Sequence, residues 1–148
     1  MRTIVVDDHI LRDVLTGARP RDLDGIASNL ATTGLWLFRL SSAFADPERA
    51  GRLSAPVAGL PLANQAEFRA QLTQLPDEIE VLHLRQLAWS MATLQHHHRS
   101  VGHNLSALAV EALAVAEVLD AGIAVSALDV GPALRAAAIE DGIEFHVL

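Results

Sequence analysis

The sequence predicts a single α/β domain, residues 1–148, in three layers with a central, mainly parallel sheet flanked by helices. Three observations lead there. Short strand-like runs at 3–6, 80–84, 123–126 and 143–147 are separated by stretches with helical periodicity. Short buried strands alternating with helices suit a parallel sheet covered on both faces. The chain has 148 residues, of which 51% are hydrophobic, enough for one core rather than two.

In order, residues 3–6 form a β-branched run that stops at Asp7-Asp8, a buried strand turning directly into a helix. Ile10, Leu11, Val14 and Leu15 recur at helical spacing, and residues 17–20 close that helix. Residues 21–30 are polar and mixed, a short helix with Leu23 and Ile26 facing inward. Residues 33–45 read as a helix with Trp36, Leu37, Leu40 and Phe44 on one stripe. Pro47, Gly51, Pro56, Gly59 and Pro61 mark 46–64 as the longest loop and the most mobile segment. An amphipathic helix at 65–75 ends at Pro76. A strand at 80–84 leads into a helix at 85–95, and 95–104 reads as a loop or a frayed helix end. A nearly all-apolar helix, 105–119, ends at Ala121-Gly122 in the glycine-terminated manner. A strand at 123–126, a helix at 132–139 and a strand at 143–147 complete the chain.

The formal net charge is −7, and every basic residue is arginine. A module that holds nucleic acid through its phosphates usually carries a basic surface, so this balance counts against one. It counts less against a metal-dependent nuclease, whose own carboxylates add to the negative total. The absence of cysteine removes disulfides, thiolate metal sites and a cysteine nucleophile, and fits a reducing cytosol. No apolar run reaches the roughly 18 residues of a membrane span, and residues 1–6 turn acidic too soon for a signal peptide. The expected location is cytoplasmic, with no membrane partner.

Glu111 is the residue that most needs a partner. It lies in Leu108-Ala109-Val110-Glu111-Ala112-Leu113-Ala114, and its helical neighbours Ala107, Leu108, Ala114 and Val115 offer no cation. Burying an unpaired carboxylate is expensive. In a parallel sheet, ligands bind beyond the carboxyl ends of the strands. Asp7 follows the first strand and Asp129 the third, so both belong on that edge. A divalent cation shared by Asp7, Glu111 and Asp129 would relieve Glu111, since Mg²⁺ takes a few carboxylates and keeps several waters. Each acid has an ordinary reading as well. Asp7 or Asp8 caps the first helix, Asp129 caps the helix near Pro132, and Glu111 pairs with an arginine such as Arg39.

These residues resemble a PIN domain. Ile4-Val5-Val6-Asp7 with Ile10, Leu11, Val14 and Leu15 looks like its opening. Glu111-Ala112-Leu113, then Gly122 to Ser126 and Asp129, is similar to its second half, and Ala133 to Ala137 with Gly142 to Phe145 fits its closing helix and strand. The resemblance implies a compact fold with a central parallel sheet. It also implies a Mg²⁺- or Mn²⁺-dependent endoribonuclease with Asp7, Glu111 and Asp129 as catalytic and metal-holding acids. RNA would be the substrate, an antitoxin-like protein a partner, and a homodimer the assembly, with Leu35, Trp36, Phe38 and Trp89 as candidate contacts. Such an ion polarises a phosphoryl oxygen and lowers the pKa of its bound water. The middle departs from the pattern. The family usually places another acid on a helix thirty to forty residues after the first Asp, whereas here Thr32 to Leu40 carries no acid and has Arg39 instead. An Arg39 that reached Glu111 would replace the ion. The alternative implied is a catalytically inactive PIN-like module that binds protein or RNA, and a third reading is an unrelated α/β domain with a small ligand at the strand edge.

His96, His97, His98 and His103, with His83 before them, form a second cluster. Imidazoles suit Zn²⁺ or Ni²⁺, but consecutive helical residues point about 100° apart, so three adjacent histidines do not share one ion easily. His98 and His103 are five apart with Gly102 between them, a spacing that permits convergence. Arg19, Arg21, Arg49 and Arg52 are candidate phosphate contacts or ordinary surface charges. No glycine follows the first strand, which disfavours a dinucleotide or P-loop site, and Ser126 and His146 do not suggest a serine triad.

Overall fold

Ile4, Val5 and Val6 have no solvent exposure at all, the burial expected of a strand with helices on both faces. They lie in β1 (Arg2–Val6), the centre of a five-stranded, all-parallel sheet ordered β3-β2-β1-β4-β5, seen in a computed structural model that describes residues 2–46, 48 and 51–148. The other strands are β2 (Ala27–Thr32), β3 (Ile79–Val81), β4 (Gly122–Val125) and β5 (Phe145–Val147). Among the described residues, eight helices cover the sheet: α1 (Asp8–Leu15), α2 (Arg21–Ile26), α3 (Gly34–Ala45), α4 (Ala55–Ala58), α5 (Leu62–Thr73), α6 (Leu84–Ser100), α7 (Ala107–Leu119) and α8 (Pro132–Glu140). This is the three-layer α/β domain that the alternation implied. Among the described residues, no helix is long and apolar enough to cross a membrane.

Strand side chains alternate between two cores. Ile4, Val6, Leu30 and Ala124 face a layer built from α1 to α5, with Ile10, Leu11, Leu40, Val57 and Phe68 at its heart. Val5, Ala31, Ile123 and Val125 face a layer built from α6, α7, α8 and the start of α3. Every residue from Ala109 to Ala116 is buried, which accounts for an apolar run with no polar stripe: α7 lies between the sheet and its neighbouring helices.

Several elements differ from the sequence reading. β2 falls within 21–30 and just beyond, where Ala, Ser and Asn are poor strand formers. The open edges of β1 and β3 on either side satisfy its backbone, and tertiary pairing overrides propensity. The expected loop at 46–64 contains α4 and the start of α5. It is also tied down, because buried Arg12 donates to the carbonyls of Arg52 and Leu53, both at 3.2 Å. Arg49 lies outside the described residues. The second strand is only Ile79–Val81, and α6 runs unbroken through 95–100.

The helix α7 does not end on Gly122. Asp120 takes the left-handed turn (φ 48°), and the Ala121 N–H closes back on the Ala116 carbonyl at 2.8 Å. Gly122 is already inside β4, paired with Ile4 across β1, and serves close packing. A Cβ there would stand 2.9 Å from Ile4 Cδ1 and 3.3 Å from the Glu144 carbonyl oxygen. Both neighbours are held in the sheet, so Gly122→Ala is expected to destabilise the domain by about 1–3 kcal/mol through overpacking. Urea unfolding measures this, and an unchanged midpoint would show that the sheet yields there at no cost.

Candidate functional site

The strand order reverses at β1: the chain leaves it for β2 on one side and returns at β4 on the other. The crevice above the carboxyl ends of β1 and β4 is therefore the topological switch point, where ligands of open parallel sheets bind. Asp7 and Asp8 follow β1, and residues 126–129 follow β4. A cleft of about 260 Å³ opens there, lined by Asp7, Arg39, Asn104, Ser106 and Asp129 and walled by Trp36, Ala109 and Leu134.

Asp7 caps α1. Its Oδ1 accepts from the Ile10 N–H at 2.9 Å, and its Oδ2 accepts from the Ser126 N–H at 2.8 Å, so one carboxyl ties β1, α1 and the end of β4 together. Burial pushes its pKa up to about 7, outweighing the two backbone hydrogen bonds, and the charges of Asp8 and Asp129 add to the rise.

Asp8, fully buried in the first turn of α1, takes a two-pronged grip from Arg39 of α3: Nε to Oδ2, and Nη2 to Oδ1 at 2.9 Å. Arg39 Nη2 also reaches Asp129 Oδ2 at 2.5 Å. The hydrogen bond to Asp8 is the foremost reason that Arg39 holds its proton more tightly than free arginine. Asp129 is half exposed and caps no helix: α8 starts at Pro132 after Gly131, without a side-chain cap.

Glu111 faces the N-terminus of α3. Its Oε1 accepts from the Leu35 N–H at 2.7 Å, while Thr33 caps the same helix by accepting from the Trp36 N–H at 3.0 Å. The unpaired amide donors and dipole of a helix start supply the positive end that a buried carboxylate needs. Glu111 therefore has a partner that is neither a metal nor Arg39. The carboxylate lies close against the start of this helix, and a Cβ at Gly34 would stand in ordinary contact with it, 3.8 Å from Glu111 Oε2.

The edge brings Asp7 and Asp129 to one cleft, while Glu111 is engaged behind it at the start of α3. Sequence reasoning left Asp8 as a helix cap and did not single out His9. Adjacent acids after a strand were the only available signal for Asp8, and His9 had none. One ligand atom each from Asp8, His9 and Asp129 lies within 4.8 Å of the others. His9 is buried, its Nδ1 has no hydrogen-bond partner, and burial lowers its pKa against the opposing charge of Asp8. Of the acids expected to share Mg²⁺ or Mn²⁺, Asp7 and Glu111 accept backbone N–H groups, and the guanidinium of Arg39 lies against Asp129.

Of the other cations, Arg19 pairs with Asp24 at 2.6 Å between α1 and α2 and Arg21 opens α2, both at the amino end of the sheet, away from the acids. Trp36 is buried as a cleft wall rather than an exposed contact, whereas Phe38 and Trp89 are exposed. Fold and site thus define a parallel α/β domain with an acidic switch-point cleft bridged by an internal arginine. Compared with family models and with curated proteins, the chain matches none.

A carboxyl whose folded pKa is raised binds its proton more tightly folded than unfolded. Between the ordinary value of 3.8 and about 7 the native state holds the extra proton, so stability falls as pH rises through that interval and levels off above it. Asp7→Asn removes the titrating group and is expected to flatten that slope. Urea unfolding from about pH 4 to about pH 8 checks this, and an equal slope in both proteins would place the titration elsewhere.

Proposed function

We propose that this chain is a catalytically inactive PIN-like domain, a binding module whose strand-edge cleft takes a protein partner. The observation that carries this reading is Arg39 bridging Asp8 and Asp129 on the helix where the family usually has an acid. The arginine supplies the positive charge that a divalent ion would bring, and it is part of the chain. With Asp7 and Asp129 at the polar rim and Trp36, Ala109 and Leu134 behind them, the cleft suits a basic side chain on an apolar stem. An antitoxin-like peptide is a partner of that kind. RNA fits less well, since the formal charge is −7. The same reading is of a cytoplasmic protein that pairs as a homodimer, with Phe38 and Trp89 as its exposed apolar contacts.

The discriminating experiment compares the intact protein with Arg39→Ala under Mg²⁺ and Mn²⁺. The intact protein is expected to show no Mg²⁺-dependent rise in its unfolding midpoint and no cleavage of RNA with either ion. Arg39→Ala leaves Asp8 buried without its counter-charge. The expected cost is about 2–3 kcal/mol, below that of a fully buried pair because the Arg39 side chain keeps solvent contact. Divalent metal is expected to restore part of that loss. Metal-dependent RNA cleavage by the intact protein, abolished in Asp7→Asn, would overturn the proposal in favour of the endoribonuclease.

A further inference from the structure

We infer that His98, His103 and Glu140 form a binding site for a transition-metal ion of the zinc class, separate from the strand-edge cleft. The site lies at the far end of α8 from that cleft, where residues 140–142 lead into β5 at the amino end of the sheet.

Local chain geometry builds it. The end of α6 folds back through a paired hydrogen-bond closure: the His103 N–H donates to the His98 carbonyl at 2.8 Å and the Gly102 N–H to the Arg99 carbonyl at 3.2 Å. Gly102 takes the left-handed conformation this turn requires (φ 93°). The turn converts a five-residue spacing into adjacency, and the two imidazole centroids stand 5.5 Å apart.

His98 is the anomaly that points to a ligand. Its side chain has no solvent exposure, and its Nδ1 has no hydrogen-bond partner. A buried polar atom with no partner is costly, and native structures rarely leave one. Its other nitrogen, Nε2, lies 2.8 Å from Asp141 Oδ2. A carboxylate accepts there, so Nε2 carries the proton and Nδ1 presents a bare lone pair. This is the arrangement in which an outer carboxylate orients a metal-bound histidine.

The lone pair faces the remaining donors. His98 Nδ1 is 3.8 Å from Glu140 Oε2, and His103 Nε2 is 2.8 Å from the same oxygen. The three ligand atoms lie within 4.8 Å of one another. A tetrahedral ion with bonds of about 2.0–2.1 Å spaces its ligand atoms about 3.4 Å apart, between those two distances. Ligation through His103 Nε2 uses the neutral ring with its proton on Nδ1. Two imidazoles and one carboxylate favour a first-row transition ion over Mg²⁺ or Ca²⁺, and leave a fourth position for water. The ion would join the end of α6 to the end of α8.

Titration of the full chain with Co²⁺, followed by its visible absorption and displaced by Zn²⁺, tests this, with thermal unfolding in parallel. One ion per chain with a tetrahedral spectrum is expected, and an unfolding midpoint raised by about 5–10 °C at metal about 100-fold above Kd. His103→Gln and Glu140→Gln, both at partly exposed positions, are expected to lose the spectrum and the shift. Asp141→Asn is expected to weaken binding about 10–100-fold as a positioning residue. His96→Gln, outside the cluster, is expected to bind as the parent does. Absence of stoichiometric binding would overturn the site. So would binding that survives His103→Gln and Glu140→Gln but is lost in His96→Gln, which would trace the metal to the exposed histidine run.

Discussion

Carboxylates packed at the strand ends of a parallel sheet need positive charge nearby, and in this domain one helix supplies most of it. α3 presents its N-terminal amides to Glu111 and, from its next turn, extends Arg39 to Asp8 and Asp129. Asp8 has no exposure and Glu111 almost none, so leaving either without a polar partner would be costly. The position of α3 over the sheet is thus an electrostatic requirement as well as a packing one. Asp7 stands partly outside this arrangement. It has backbone donors but no cation of its own, and burial, with the nearby charges of Asp8 and Asp129 adding to it, raises its pKa to about 7.

The same arrangement links architecture to chemistry. A parallel sheet whose order reverses at β1 leaves a crevice between the ends of β1 and β4, and the residues that cap α1 and turn away from β4 line it by necessity. Here the crevice is bridged from within, since the Ser126 amide reaches Asp7 and Arg39 reaches across to Asp129. What remains open is a cleft with an acidic rim and an apolar wall. At the opposite end of α8 two imidazoles meet two carboxylates, with His98 lying between Glu140 and Asp141 and His103 against Glu140.

Most of the framework could be read before any tertiary contact was known. The branched run before Asp7, the apolar stretch of α7 and the stripe of α3 each mark their elements by local pattern. β2 could not be read this way, because Ala27, Ser28 and Asn29 carry no strand signal and depend on neighbours far along the chain. Asp7 and Asp129 were placed on the cleft correctly because strand ends in a parallel sheet share an edge. The partners were not legible. Arg39 was weighed against Glu111 and instead holds Asp8 and Asp129, since which acid a long side chain reaches depends on helix rotation and strand order together.

By itself, the sequence determined the layered α/β class, the placing of Asp7 and Asp129 on one edge and the five-residue spacing of His98 and His103. These follow from periodicity, composition and chain direction, which act over a few residues. Only the tertiary structure decided which positive group meets which carboxylate, and that His98 turns a lone pair inward beside Glu140. Such pairings join positions 31 to 90 residues apart, and their energies depend on distance and burial that no local pattern encodes.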